Sequence, residues 1–327
     1  MSKAVKLICL VIVFLSFLCE AKAFDDPKKT SLADINLKIF YPALSSFQYA
    51  SLDTSSPNLI KKSAETEINY GRLAVVGGTL LGGMAAIHIY QQNGWWKDHR
   101  QPFHFQEDLG YGLNVDKIGH FYGASVFAFV TQKSTEWANV PEQDALWIGA
   151  GASLLFQTYI EVEDGFSDWG FDRVDFATNV GGVLWHVGKY YLPSLQNFDL
   201  KLSYHPSPLL GSDRGIGFKG QQHLMIDDYE GQTFWLSVKV NNLIPKSLEP
   251  YWPDFLCLAV GYGARDIGTT AADPYRVYFL ALDYDMTKII PQNTGFLRTL
   301  GQALNFIHLP APAVRISPSA IWYGLYF

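Results

Sequence analysis

Thiols, charge and cofactor signatures are all scarce in this chain. Cysteine occurs three times in 327 residues. Cys9 and Cys19 fall in what reads as a leader, so Cys257 alone remains and no intramolecular disulfide is expected. Cys257 lies in an apolar run, 255–260, and reads as a small core residue. Charged residues make up 17% of the chain, against roughly 25% in soluble domains. Lys and Arg total 25 against 31 Asp and Glu, a net charge of −6, so no basic field exists and no nucleic-acid partner is expected. Serine nucleophile elbow, Walker loop, dinucleotide glycine fingerprint and His-Glu-x-x-His are all missing, so no nucleotide cofactor is expected. Trp252-Pro253-Asp254 resembles the acid loop of tyrosine phosphatases, but no Cys-x5-Arg accompanies it.

What is present leans towards a membrane. Hydrophobic residues reach 48% and aromatics 15%, with a mean hydropathy of +0.04. Lys3 and Lys6 precede an apolar run over 7–18, and Ala21-Lys22-Ala23 supplies a small-x-small cleavage pattern, so residues 1–23 are expected to be a secretory signal peptide. Cleavage after Ala23 moves the net charge from −6 to −8, because the leader carries three Lys against one Glu. Leu18 stands before Cys19 where a lipobox has a small residue.

The rest divides into a mixed segment over 24–69, a helical unit over 70–192 and a β-rich unit over 193–327. The expected fold class is α+β, a Gly-rich helical bundle followed by an antiparallel sheet or small barrel. Residues 73–90 carry no formal charge if His88 is neutral, and Gly78-Thr79-Leu80-Leu81-Gly82 has the small-xxx-small spacing that lets helices approach closely. Two readings stand for it: a membrane span, which would mean an inner-membrane location, or a buried helix packing its glycines on neighbours. Trp95-Trp96 then reads as an interface belt or an ordinary loop. Apolar segments at 118–132, 145–160 and 176–188 complete an expected four-helix unit.

After Pro193 the period changes to two. Phe234, Leu236 and Val238 alternate with Trp235, Ser237 and Lys239, and 255–262 and 275–284 are further β-like runs. Asn197-Phe198-Asp199, Gly211-Ser212-Asp213 and Asp266-Ile267-Gly268 read as turns between strands. An amphipathic helix is expected near 295–309. Ile321, Tyr323, Leu325 and Phe327 put apolar residues at every second position, a pattern similar to the last strand of outer-membrane barrels and equally that of a final soluble strand.

One polar constellation lies in the helical half. Asp116 and His120 are four apart and share a helix face, with Lys117 beside them; Asp175 and Asn179 repeat the spacing. Between them stand Glu161, Glu163, Asp164, Asp168 and Asp172, acidic groups costly to bury unless paired. Asp116, His120, Glu161 and Asp175 are the catalytic candidates, Asp116 orienting His120 as a base. His120, Glu161, Asp164 and Asp175 are the candidates for holding a divalent cation. The alternative is that Asp116 and Asp175 cap helices while His120 and Asn179 satisfy buried polar groups. His186 reads as a satisfied core histidine.

These residues carry a resemblance. Asp116-Lys117-Ile118-Gly119-His120-Phe121 resembles the D-K-x-x-H-F start of the YfiM-like family of predicted periplasmic or membrane-associated bacterial proteins. Glu161-Val162-Glu163-Asp164 is similar to its E-x-x-D element, and Asp175, Asn179 and Gly182 to its D-x-x-x-[DN]-x-x-G element. VanZ-like membrane proteins have a similar arrangement. The chain resembles a longer form with a β-rich C-terminal half. The resemblance implies the periplasm or outer membrane of a Gram-negative bacterium, and brings no activity with it. Three functions are therefore weighed: a non-enzymatic component touching membrane lipid or envelope proteins, an enzyme on lipid or cell-wall substrate, and a structural divalent-cation protein.

Overall fold

The computed structural model describes residues 67–93, 95–214, 222–268 and 273–326. The expected signal peptide, nearly all of the 24–69 segment and Phe327 lie outside the described residues. Four long helices come first: α1 (Tyr70–Asn93), α2 (Val115–Trp137), α3 (Glu142–Gly165) and α4 (Arg173–Tyr191). Six strands follow: β1 (Phe198–Tyr204), β2 (Gln232–Val238), β3 (Leu256–Arg265), β4 (Tyr275–Tyr284), β5 (Ala311–Ser317) and β6 (Ile321–Tyr326). Helix α5 (Gly295–Leu304) is inserted between β4 and β5. The class is α+β.

Only three of the four helices form the bundle. α2, α3 and α4 share a core of Ala124, Leu146, Ala150, Val183 and Val187. Small residues let their backbones come close. A Cβ on Gly182 would collide with the Phe121 carbonyl, and one on Gly149 with the Ala128 carbonyl. Ser153 donates to the Ala124 carbonyl at 2.8 Å, stitching α3 to α2. The Asp172 carboxylate caps α4, accepting from Val174 N–H at 2.7 Å and Asp175 N–H at 3.3 Å. His186 meets Gln132 Oε1 at 2.7 Å.

Helix α1 stands largely outside this core. Its 24 residues include a stretch of mean hydropathy 1.6, long and apolar enough to cross a membrane, of which 6% is buried. Gly77, Gly78, Gly82 and Gly83 have open space where a Cβ would sit. Among the described residues, α1 therefore does not bury its glycines against neighbouring helices. Trp96 corrects another expectation: it is 1% exposed, a buried anchor rather than part of an interface belt.

The strands run antiparallel in the order β1-β2-β3-β4-β5-β6. β1 and β6 do not pair among the described residues. The sheet curls instead, until the outer edge of β1 meets residues 306–308. Leu202 N–H donates to the Phe306 carbonyl and His308 N–H to the Leu202 carbonyl, both at 3.0 Å. Ile307 precedes the start of β5 by four residues, so the first and fifth strands lie within about 14 Å of one another along that connection.

The inner face of the sheet joins an apolar cluster of Trp235, Val277 and Phe279 to a buried group of charges. Inside, Lys201 and Asp283 pair at 2.8 Å, and His308 lies 3.2 Å from Asp283 while stacking on Trp235 at 3.9 Å between centroids. Lys239 bridges Asp199 and Asp285, 3.2 Å from each. Burial pushes Asp283 up, but His308 and Lys201 outweigh it and hold the carboxyl below its usual range. Outside, Leu236, Val260, Leu280, Val314 and Trp322 form one register row across five strands. Val260 and Leu280 are each 50% exposed and Trp322 is 68% exposed. The triplet 197–199, expected to be a turn, instead leads into β1, and Asp199, Lys201 and Ser203 face inward along that strand. The expected alternation over 321–327 also breaks, since a register irregularity turns both Tyr323 and Tyr326 inward.

Two predictions follow from this packing. Gly182→Ala or Gly149→Ala forces helix backbones apart and should cost about 1–3 kcal/mol, whereas Gly78→Ala should be neutral or stabilising by up to about 1 kcal/mol; urea unfolding followed by circular dichroism compares them. Burial, with Lys189 and Lys133 nearby, holds His186 down from 6.5 to about 4. Between those values the unfolded chain binds the proton, so stability falls as pH drops through that window. His186→Gln should lose less stability than the parent between pH 6.5 and 4; an unchanged slope would contradict this assignment.

Candidate functional site

The loop entering α2 determines what its first turn presents. Gly112, Leu113 and Asn114 occupy the left-handed region in succession, with φ of 54°, 52° and 72°. Such a run is costly for leucine and has to be held from outside. It is: Tyr262 donates to the Leu113 carbonyl, Arg276 to Asn114 Oδ1 at 3.0 Å, and Asn114 Nδ2 to the Leu109 carbonyl at 2.6 Å. A side chain on Gly112 would meet the Tyr229 ring. The sheet half thus clamps the turn that launches Asp116, Lys117 and His120 into the bundle.

Lys117 is the hub. Its Nζ lies 2.9 Å from Asp172 Oδ2, 2.9 Å from Asp175 Oδ2 and 3.2 Å from Asp116 Oδ2, and it also bonds Asp108. Lys117 is 5% exposed, so these are desolvated pairs. Burial alone would lower its pKa, but Asp116 and Asp175 overcome that and raise it. Burial also works against ionised Asp172, yet hydrogen bonds from Lys117 and from the N–H groups of Asp108 and Val174 bring that carboxyl down to about 2. Asp108, more weakly compensated against burial, rises to about 6.

His120 sits one turn further along α2. Its Nδ1 is 3.3 Å from Asn179 Oδ1 and 3.4 Å from Glu161 Oε1, and Asn179 donates to the same Glu161 oxygen at 3.2 Å. Its Nε2 is 3.6 Å from Asp116 Oδ1 and 3.8 Å from Asp175 Oδ2. Tyr229, contributed from the segment before β2, donates to Asp116 Oδ1 at 2.5 Å. Burial would pull the imidazole down, but Asp116, Asp175 and Glu161 raise it to about 9. Burial raises Glu161 to about 8 and Asp175 to about 7, more than His120 lowers them.

All four catalytic candidates, Asp116, His120, Glu161 and Asp175, therefore meet in one place, together with Lys117 and Asn179. Asp164 does not join them. It accepts from Trp96 Nε1 at 2.6 Å, and burial foremost lifts it to about 7. Asp168 and Glu163 hold the 95–104 loop instead, through His99 at 2.6 Å and Arg100 at 2.9 Å. The capping expectation changes too: Asp172, not Asp175, caps α4, and Asn114 precedes α2 without a side-chain cap. Gly182 and Phe121 are spatial partners, the glycine making room for the Phe121 carbonyl. Sequence reasoning missed Asp108 and Tyr229 altogether and set Lys117 beside the site rather than at its centre. Lys117 had a signal, a cation beside Asp116 in a run over 109–132 with no other formal charge if His120 is neutral; Tyr229 had none.

Chemically, the cluster opposes two cations to five carboxylates. It can hold and pass protons, and it can accept a cation.

Comparison with known proteins adds a location. Residues 104–189 match the family model described as Predicted periplasmic lipoprotein (DUF2279). The match spans the whole cluster apart from Tyr229, and it supports an exported, envelope-associated protein. No curated protein and no solved structure matches the chain.

Removing the hub should leave four carboxylates facing one another without a cation. Lys117→Met is expected to destabilise the chain by about 3–5 kcal/mol, measured as the shift in urea midpoint at constant slope; a loss under about 1 kcal/mol would show that the ion cluster holds no helices together.

Proposed function

We propose that this protein is a non-enzymatic envelope component that seats in a bilayer, touching lipid with the outer face of its sheet and with α1. One observation carries the reading. The sheet encloses Asp199, Lys201 and Asp283 and turns an uninterrupted apolar row, Leu236, Val260, Leu280, Val314 and Trp322, to the outside. Water is a poor solvent for that face, and burying charge inside an antiparallel sheet with an apolar exterior is the arrangement of strands that meet lipid. A protein partner would need polar groups along the row to set its register, and the row has none. β3 and β4, at ten residues each, reach the length of a spanning strand, but the other four are six or seven residues long and fall short of it. The sheet thus dips into a bilayer by one face rather than forming a pore.

α1 supports the same seating. Its apolar stretch is exposed and its glycines are unopposed, so hydrocarbon is the solvent that suits it. The family match supports the periplasmic side as the compartment of the helical bundle.

The test is membrane fractionation with a carbonate wash, paired with a probe on the sheet. Leu280→Cys, with the native cysteines changed to Ser, is labelled with an environment-sensitive fluorophore. In membranes the emission should shift to the blue and be quenched by nitroxide lipids, and a label at Lys288 should remain aqueous. The density-gradient fraction identifies inner or outer membrane. Release by carbonate with an aqueous label at position 280 overturns the reading.

A further inference from the structure

Apart from its seating, the helical bundle holds a donor set that the ion network uses only in part: Tyr229 donates to Asp116 Oδ1 and Lys117 to Asp175 Oδ2, while Asp175 Oδ1 has no partner among the described residues. We infer that His120, Asp116 and Asp175 form an open three-ligand site for a divalent ion of the zinc class. The donor atoms of these three residues all lie within 4.8 Å of one another. His120 Nε2 stands 3.6 Å from Asp116 Oδ1 and 3.8 Å from Asp175 Oδ2. Those separations are too long for hydrogen bonds. They are close to what a tetrahedral ion imposes: bonds of about 2.0–2.2 Å place its ligands about 3.3–3.6 Å apart. A contraction of a few tenths of an ångström closes the site.

The oxygens divide the work. Lys117 takes Oδ2 of both Asp116 and Asp175. Oδ1 of Asp175, on a residue only 6% exposed, has no hydrogen-bond partner among the described residues. A buried carboxylate oxygen with nothing to accept from is costly, and a bound cation is one remedy. The far side of the imidazole is organised as a metal-bound histidine requires. Nδ1 faces Asn179 Oδ1 at 3.3 Å and Glu161 Oε1 at 3.4 Å, which fixes the ring, and the ion takes the place of the Nε2 proton. His120 keeps 22% of its side-chain surface exposed, an entry route from solvent.

The donor set selects the ion. One imidazole and two carboxylates suit zinc, manganese or iron(II), whereas calcium takes six to eight oxygens and magnesium prefers oxygen and water. Three protein ligands also leave a fourth position for water, the arrangement of zinc sites that are not purely structural. Two positive charges further offset the carboxylate excess that Lys117 alone does not balance. Glu161 and Asn179 are positioning residues here, acting through the imidazole.

The experiment is calorimetric titration of the chelator-treated, detergent-solubilised full chain with zinc chloride, followed by cobalt(II) substitution. One ion per chain should bind, and cobalt should give the intense visible bands of tetrahedral coordination. His120→Gln and Asp175→Asn should each weaken zinc at least a hundredfold while keeping the parent's circular dichroism. Asn179→Ala should weaken it tenfold to a hundredfold, and Asp164→Asn, outside the site, should leave it unchanged. Absence of stoichiometric binding, or zinc retained in both His120→Gln and Asp175→Asn, overturns the site. If one of these variants fails to fold, the cobalt spectrum of the parent still decides, because weak octahedral bands would equally overturn it. None of these readouts depends on how the sheet meets a bilayer, so this site and the lipid-seated reading fail separately.

Discussion

A single ammonium group ties the helical half together. Lys117 Nζ draws the first turn of α2, the cap and first turn of α4, and the preceding loop to one point through Asp116, Asp172, Asp175 and Asp108. In a low-dielectric interior none of these charges is tolerable alone. That is why α2 and α4 cross where they do and why Gly182 must admit the Phe121 backbone. It is also why the strained turn at 112–114 is retained, clamped by Tyr262 and Arg276 from the sheet. The ion network and the tight turn hold each other in place, and His120 inherits its position from both.

The second constraint is the charge buried inside the sheet. Lys201, Asp283 and His308 share its interior with the apolar cluster of Trp235, Val277 and Phe279. With alanine and glycine at many inward positions, the curled sheet has room for charged groups and for the stacked Trp235 ring. The aliphatic residues are then left outside. Both halves of the molecule bury a paired charge cluster beside an apolar core and leave an apolar face exposed. Such a chain needs few surface charges and is suited to an envelope.

Much of this was legible in the sequence because it is local. Four uncharged, small-residue-rich segments gave helices, and period-two runs gave β3 and β4. The i, i+4 pairs Asp116/His120 and Asp175/Asn179 put their side chains on single helix faces, so their convergence with Glu161 was within reach. At β1, Asn197-Phe198-Asp199 has the composition of a turn, whereas the strand begins at Phe198 and turns Asp199, Lys201 and Ser203 inward. The terminal alternation failed for a different reason, since one irregularity in the β5–β6 register is invisible to a pattern and turns Tyr326 inward.

By itself, the sequence determined the α+β class, the places of the long helices and main strands, and the shared helix faces of Asp116 with His120 and of Asp175 with Asn179. These rest on periodicity and on spacings of three or four residues, interactions short enough to be encoded in neighbouring positions. Only the tertiary structure decided that Lys117 is the hub, that Tyr229 reaches Asp116 from 113 residues away, that α1 stands outside the bundle, and which face of the sheet is dry. Each of those depends on contacts between distant segments, where burial chooses among partners that local pattern leaves equivalent.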